Sequence, residues 1–294
     1  MVIWIPLTLA ATVLQVSRNA LQRGLLPVAG PWGATLVRFL FGLPFTLAFI
    51  AVAKLMTPEA QGHFSAYFFM ACSIGAVAQV GATAALLVSM QRSSFAIGTA
   101  FQQSSLPFTA LVGFFLFHDP ISPVAWAGLF IATAGLVYLS WPRRMEGVRD
   151  WSPALLGLTS GACFALSANA FRQGGLAFDP HHLVFSALVT VAVVQMIQTL
   201  VLIIGLLILD PKALRGAIGA WKASMGAGFF GAGASALWFI ALTMSPAGPV
   251  RAVGVVEMPV AALMGRRLFA ERLSLAQIVA GTITALGVVL AAIG

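Results

Sequence analysis

Apolar segments of about 20 residues, separated by short polar loops, follow one another along the whole chain. That length is what an α-helix needs to cross the hydrocarbon core of a bilayer. The segments lack the alternation of apolar and polar residues that predicts strands, and a backbone in lipid must satisfy its own hydrogen bonds. The pattern predicts an all-α polytopic membrane protein with ten transmembrane helices, at about residues 2–22, 32–54, 64–90, 94–117, 122–141, 152–172, 182–209, 220–243, 247–268 and 274–293.

Composition agrees with a chain that is solvated by lipid. Apolar residues make up 60% of the 294 residues and charged residues 8%, whereas a soluble domain carries about 25% charged residues. The net charge of +8 comes mostly from Arg and Lys at the ends of the apolar segments, without a basic stripe among aromatic residues. We therefore expect the lipid bilayer as a partner and no nucleic acid.

The loop cations predict an orientation. They concentrate in the loops that follow odd-numbered segments, whereas the other loops hold only Lys54 and Arg172. Positively charged loops favour the cytoplasm. With ten segments, both termini are then expected on the outer, periplasmic side of a bacterial-type inner membrane.

The two halves of the chain resemble each other. Residues 16–24 match residues 166–174 at an offset of 150, and residues 116–122 match 268–274 at an offset of 152. Apolar composition alone would not align Asn, Ser and acidic residues in register. The halves, 1–145 and 146–294, each hold an odd number of segments, so the second five-helix repeat is expected to be inverted. Inverted repeats are a transporter architecture, with substrate bound near the membrane midplane.

One acidic residue, Glu257, falls well inside a predicted helix. Ionisable groups at membrane depth are costly and are functional candidates by default. Glu257 could bind a substrate ammonium group, carry a proton, or form a structural ion pair with Arg251, Arg18 or Arg38. Arg251 is six positions away, about 600° of rotation at about 100° per residue, so we expect a partner on another helix.

Two prolines interrupt corresponding segments. A shift of 152 residues places Pro107 on Pro259 and Ser105 on Glu257. Proline removes the i to i−4 hydrogen bond, so each is expected to kink its helix and free the carbonyl four residues earlier, beside a cavity or merely for packing. Paired proline-interrupted segments point to the binding site of a transporter.

The same order of features occurs in both halves: a proline within an apolar segment, an acidic residue in the next turn, and two spaced glycines. It reads Leu106-Pro107, Asp119, Gly128 and Gly135, and then Met258-Pro259, Glu271, Gly281 and Gly287. In this the whole chain resembles the drug/metabolite transporter superfamily, EamA-type branch, although Glu is more usual at Asp119. In its length and in this pattern of features, the chain is similar to YddG-like aromatic amino acid exporters. The resemblance implies a basket of ten helices around a central cavity.

Polar and aromatic residues near the middle of the segments are candidates for that cavity. Amides both donate and accept hydrogen bonds, which suits an amino acid, and aromatic rings suit an apolar side chain; interhelical hydrogen bonds and packing are the alternatives. The candidate cavity residues are Glu257, Gln79, Gln102, Gln103, Ser105, Trp238, Phe101, Phe164 and Arg251. Gln195 and Gln198 are instead expected to hydrogen-bond between helices.

A repeat-related pair of polar motifs predicts gating positions. Ser17 and Asn19 match Ser167 and Asn169, near opposite membrane faces. We interpret these residues as closing opposite ends of the cavity in alternate states. Arg18 has no polar counterpart, and it either extends to the near membrane interface or meets a carboxylate.

These features predict a secondary transporter that exports small organic metabolites, with aromatic or apolar amino acids as the first candidates and protons as a candidate coupling ion. A transporter of phosphorylated or other anionic metabolites is the alternative. An intramembrane enzyme is less well supported, because all four histidines lie in loops or at segment ends and no P-loop or metal-ligand cluster occurs. We expect no cofactor and no metal.

Overall fold

The computed structural model describes residues 3–117, 122–140, 151–245 and 247–293. The predicted repeat boundary at residue 145, the loop cations between residues 141 and 150, and Asp119 lie outside these residues. In the described part, thirteen α-helices, α1 to α13, occupy Trp4–Leu40, Leu43–Met56, Ala66–Arg92, Phe95–Gln102, Ser105–Phe117, Pro123–Ser140, Ser152–Phe178, Leu183–Leu209, Pro211–Gly219, Trp221–Met244, Ala247–Val253, Glu257–Phe269 and Leu275–Ile293. A 3-10 turn, Gly254–Val256, lies between α11 and α12.

Five helical stretches of the described chain are long and apolar enough to cross a membrane. They are Trp4–Met56, which joins α1 and α2, and the helices α3, α7, α8 and α10. Pro123–Leu136 and Leu275–Ala291 are apolar but shorter. Large apolar side chains also face outward, and Leu55 and Leu209 are 81% and 84% exposed. Soluble proteins seldom leave such surfaces to water, so the chain is an all-α membrane protein.

Gly30 breaks α1 immediately before Pro31. Its φ of 60° and ψ of 178° belong to a region that glycine alone adopts readily, and Pro27 and Pro31 stand on either side. The helical hydrogen bonding is interrupted here because Pro31 has no N–H to donate. The break at Gly30 falls between the first and second predicted segments, 2–22 and 32–54.

The chain divides into two compact units, each built from both halves of the sequence. Unit 1 comprises Met1–Val80 and Ser167–Val250, and unit 2 comprises Gly81–Leu166 and Arg251–Gly294. Helices α3, α7 and α11 therefore contribute to both.

In unit 1, small residues of α10 let α1 approach closely. A Cβ atom placed on Gly226 would lie 3.4 Å from Leu21 Cδ1, and one placed on Gly233 would lie 3.1 Å from Leu14 Cδ1. The paired residue numbers run in opposite senses, so the two helices are antiparallel. Small residues at such contacts are the usual device of helices packed in lipid.

In unit 2, α6 and α13 meet backbone to backbone. A Cβ atom placed on Gly135 would lie 2.6 Å from the backbone N of Thr284, and one placed on Gly287 would lie 2.7 Å from the Cα of Ala132. These distances exclude a side chain at either glycine. The contact is antiparallel and depends on both glycines.

Gly287→Ala is expected to destabilise the protein by about 1–3 kcal/mol, because the added methyl group forces α6 and α13 apart. Gly205→Ala in α8 is the matched control, since a Cβ atom there meets nothing within 4 Å and alanine favours the helix. Unfolding of the purified protein in detergent measures both. Equal stability of the two variants would contradict the assigned contact.

Candidate functional site

The predicted fourth segment is broken in the middle. Helix α4 ends at Gln102 and α5 begins at Ser105. Across the break, the N–H groups of Gln103 and Ser104 donate to carbonyls three residues earlier, at 3.0 Å each. This tighter 3-10 hydrogen bonding turns the chain before the next helix begins.

The ninth predicted segment is broken in the same way. The 3-10 turn Gly254–Val256 separates α11 from α12, and the N–H of Glu257 donates to the carbonyls of Gly254 and Val255. Glu257 is the first residue of α12. A carboxylate at a helix N-terminus interacts favourably with the helix dipole.

Each proline lies in the first turn of a helix rather than bending one. Pro107 is the third residue of α5 and Pro259 the third of α12, and N–H groups in a first turn have no acceptor within the helix. The expectation of freed carbonyls was wrong. The Gln103 carbonyl accepts from the N–H of Leu106 at 3.1 Å, and the Val255 carbonyl accepts from Glu257.

Glu257 and Gln103 form a buried hydrogen bond in unit 2. Gln103 Nε2 donates to Glu257 Oε2 at 2.7 Å, and the two residues are 4% and 1% exposed, respectively. Hydrogen bonds to an ionised group are shorter and stronger than neutral ones. The bond joins the break after α4 to the start of α12, so the expected partner on another helix is an amide.

Arg251 also acts on Glu257. The two side chains interact electrostatically, and the Arg251 guanidinium carbon lies 5.8 Å from the centroid of the Phe164 ring. The 600° estimate assumed a continuous α-helix. The intervening 3-10 turn has fewer residues per turn than an α-helix, so that estimate does not hold here.

Beside the break lie polar groups that make no hydrogen bond within the described residues. They are Nε2 and Oε1 of Gln102 and Oγ of Ser104, and both residues are 1% exposed. Buried polar groups are nearly always bonded, and an unsatisfied one indicates a ligand, a water or a strained site. These three atoms offer one amide donor, one amide acceptor and one hydroxyl to an occupant.

Glycines of α7 make room for this break. A Cβ atom placed on Gly157 would lie 2.9 Å from Phe101 Cδ2, and one placed on Gly161 would lie 2.9 Å from the backbone N of Ser105 and would also meet Ser104 Oγ. Sequence reasoning missed both glycines. The signal available was their four-residue spacing, which places them on one helix face.

Three further predicted residues of unit 2 are also buried. Ser105 is 2% exposed, Phe101 2% and Phe164 3%. The Ser105 carbonyl accepts from the Thr109 hydroxyl at 2.6 Å. Unit 2 thus holds Glu257, Gln102, Gln103, Ser105, Phe101, Phe164, Arg251, Pro107 and Pro259.

Unit 2 also contains a cavity of about 470 Å³. Mostly apolar side chains of α4, α12 and α13 line it, and Glu257 and Gln103 are not among them. Pro259 and Gly281 are in its wall, and Leu286 there is 63% exposed. It is an apolar groove that is open to the outside of the unit, not a polar binding site.

The other predicted residues belong to unit 1. Gln79 Oε1 accepts from Gln198 Nε2 at 2.9 Å, and Gln195 accepts from Thr46 at 2.8 Å; both Gln195 and Gln198 hydrogen-bond between helices, as predicted. Trp238 packs in an apolar cluster with Ala11, Ala168, Ala234 and Leu242.

The predicted gating residues differ in their surroundings. Asn19 is buried and accepts from Arg18, whereas Asn169 is half-buried. The Ser17 hydroxyl donates to the carbonyl of Val13 at 3.0 Å, and Ser167 is 1% exposed. Arg18 is fully buried, so the expectation that it extends to the interface was wrong.

Comparison with known proteins supports the fold. No protein-family model and no curated protein matches the chain. One similar solved structure, described only as "Crystal structure of protein", aligns with 99% of this chain and 96% of its own at a TM-score of 0.64 and 16% sequence identity. At this identity the likeness extends to the fold alone.

Gln103→Leu is expected to lower the free energy of unfolding by about 1–3 kcal/mol, because it leaves the Glu257 carboxylate without its amide donor. Adding Glu257→Gln to this variant removes the charge and is expected to recover part of the loss. Gln102→Leu is the matched control, since it removes an amide that makes no hydrogen bond with the described residues. Unfolding in detergent measures each variant. Equal losses of unfolding free energy in the two leucine variants would contradict the assigned hydrogen bond.

Proposed function

We propose that this protein is a secondary transporter that exports small organic metabolites, with aromatic and apolar amino acids as its substrates. Transport proceeds by alternating access in an EamA-type fold of ten transmembrane helices, arranged as two inverted five-helix repeats. The observation that carries the proposal is the buried Gln103–Glu257 pair, which sits where two helices are interrupted.

The residues at which helices begin and end support the repeat. When 152 is added to residue numbers of the first half, the starts of α4, α5 and α6 coincide with those of α11, α12 and α13. The ends of α3 and α5 likewise coincide with those of α10 and α12. Apolar composition alone does not impose such a register. The N-terminal half and the C-terminal half thus share the same interruptions at the same spacing.

The contact between α6 and α13 supports an inverted arrangement. Gly135 packs on Thr284, and Gly287 packs on Ala132. A shift of 152 residues turns each of these pairs into the other. Reciprocal contacts of this kind characterise a two-fold interface, and the pair is antiparallel, as inverted repeats require.

Interrupted helices are how transporters of several folds build a site at membrane depth. At such a site, non-helical backbone is tolerated only where protein or a water-filled cavity surrounds it. Both interruptions in unit 2 are buried at Gln103 and Glu257. Binding chemistry is therefore expected there rather than along the regular helices.

The groups at the interruptions suit an amino acid. The Glu257 carboxylate can accept from an ammonium group, and the free amide and hydroxyl of Gln102 and Ser104 offer further polar contacts. The buried rings of Phe101 and Phe164 offer apolar surface. A proton that Glu257 binds during the transport cycle is the candidate for coupling.

A transporter of anionic metabolites is the second candidate. Two buried arginines of unit 1, Arg18 and Arg38, favour it. In either case, the cytoplasmic faces would be those with the cationic loops, in a bacterial-type inner membrane with both termini outside.

Proteoliposomes loaded with labelled tryptophan are expected to release it faster than liposomes without protein, and to retain glucose 6-phosphate. Glu257→Gln is expected to slow tryptophan release at least about tenfold, because the ammonium group loses a charged partner. Repeating the assay with a pH gradient tests proton coupling.

Glu59→Gln is the control, because this carboxylate lies in the loop between α2 and α3, is 67% exposed, and should leave release unchanged. Release of the sugar phosphate but not of tryptophan would replace the leading proposal by the second. Unchanged tryptophan release in Glu257→Gln would remove Glu257 from the site.

A further inference from the structure

The apolar groove of unit 2 follows one face of α13. Its wall includes Gln277, Gly281, Ala285 and Val289, and a spacing of four residues places them on the same side of the helix. At about 1.5 Å of rise per residue, Gln277 and Val289 are about 18 Å apart along the helix axis. Half of the hydrocarbon core of a bilayer, which is the depth that one acyl chain fills, is about 15 Å. The groove therefore has the length of a lipid chain.

The polar side chains in the groove wall are Gln277 and Thr282, and both are hydrogen-bonded to neighbours in their own segment. Gln277 Oε1 accepts from the backbone N–H of Ser274 at 2.9 Å. The Thr282 hydroxyl donates to the carbonyl of Ile278 at 2.9 Å. Since the rest of the wall is apolar, the groove favours an apolar occupant.

The loop between α12 and α13 defines one end of the groove. The backbone N–H of Phe95, at the start of α4, donates to both carboxylate oxygens of Glu271 at 3.0 Å. A Cβ atom placed on Gly265 of α12 would lie 3.0 Å from Glu271 Oε2. The start of α4, the last turns of α12 and this loop therefore meet where Ala96 and Leu273 line the groove. The Glu271 carboxylate is committed to the N-terminus of α4.

Exposed arginines flank this end of the groove. Arg266 follows Ala262 of the groove wall by four residues, on the same face of α12. Arg272 immediately precedes Leu273, and Arg267 is exposed as well. Within the described residues, none of these arginines makes a salt bridge or a hydrogen bond. An apolar groove that ends at such positive charge is complementary to an anionic amphiphile.

We propose that unit 2 binds an anionic phospholipid, with an acyl chain in the groove and the phosphate group at Arg266 and Arg272. Planar guanidinium groups match the oxygen spacing of a phosphate, and basic sites beside membrane helices recognise anionic headgroups. Because bulk lipid is as apolar as the groove, the headgroup supplies the selectivity. The inference goes beyond transport, since Glu257 and Gln103 do not line this groove.

Titration of the purified protein in a neutral detergent tests the site. Dioleoylphosphatidylglycerol is added while the thermal unfolding midpoint is followed, and dioleoylphosphatidylcholine, which has the same chains but no net charge, is the reference. We expect a saturable and larger rise in the midpoint with the anionic lipid, because a ligand of the folded state stabilises it. Glycerol 3-phosphate, which lacks the chains, is expected to give no rise. Native mass spectrometry counts the bound lipid.

A double variant tests the charge. Arg266→Gln combined with Arg272→Gln is expected to weaken the anionic lipid at least about tenfold, because both cations at the headgroup are lost. The matched control combines Lys212→Gln with Arg215→Gln. It removes two exposed cations of α9, which belongs to unit 1, and should leave binding of the lipid unchanged.

A single substitution tests the groove. Thr282 is exposed in the groove wall, so Thr282→Trp is expected to fill the groove and to weaken the anionic lipid at least about fivefold, the hydrocarbon contact being lost. Val279→Trp is the matched control, because Val279 of the same helix is 43% exposed and outside the groove wall. The midpoint of each variant without lipid shows whether it folds.

Equal rises with the two phospholipids in the wild type would overturn the inference. So would undiminished binding of the anionic lipid in either the double arginine variant or Thr282→Trp. A second copy of this chain is the other occupant to test. A dimer in detergent that Thr282→Trp dissociates, without selective binding of the anionic lipid, would also overturn it.

Discussion

A carboxylate buried in a protein that lipid surrounds must be compensated from within, and in unit 2 that requirement falls on Glu257. Gln103 donates to it at 2.7 Å, Arg251 interacts with it electrostatically, and the start of α12 directs its dipole toward it. Gln103 lies between two helices, and Glu257 is the first residue of a helix. The amide follows the end of α4, and the carboxylate begins α12 immediately after the 3-10 turn. The buried carboxylate and its amide donor therefore lie where the two helices are interrupted.

Glycine is what allows polar groups to be buried in both units. Gly161 leaves space for Ser104, and Gly231 leaves space for Arg18 and Arg38. Larger residues at these positions would separate the helices, and the polar atoms between them would meet lipid at a cost of several kcal/mol each. The halves of the chain are alike in the positions of their breaks but not in their charge, because Ser105 occupies the place of Glu257. Glu257 at the start of α12 therefore has no acidic counterpart at the start of α5.

The membrane helices could be predicted from sequence, because composition and length determine helices in lipid. Pro107, Pro259 and Glu257 could be predicted as site residues, because they stand out in an apolar background. The expected kinks at the prolines lie a few residues from the observed breaks, since each proline is in the first turn of the next helix and the break precedes that helix. The rotation of about 600° between Arg251 and Glu257 was calculated for a regular α-helix, whereas the 3-10 turn Gly254–Val256 lies between them. The unsatisfied Gln102 and Ser104, and the approach of Arg38 to Gly231, depend on contacts between residues far apart in sequence, which no local pattern encodes.

The central claim is that Glu257 recognises a substrate ammonium group. Its most direct test is equilibrium binding of tryptophan and of indole-3-propionate, which lacks the ammonium group, to wild-type and Glu257→Gln protein. The account predicts that either removing the ammonium group or neutralising Glu257 weakens binding at least about tenfold, and that doing both weakens it little further. A preference for tryptophan that persists undiminished in Glu257→Gln would contradict the claim.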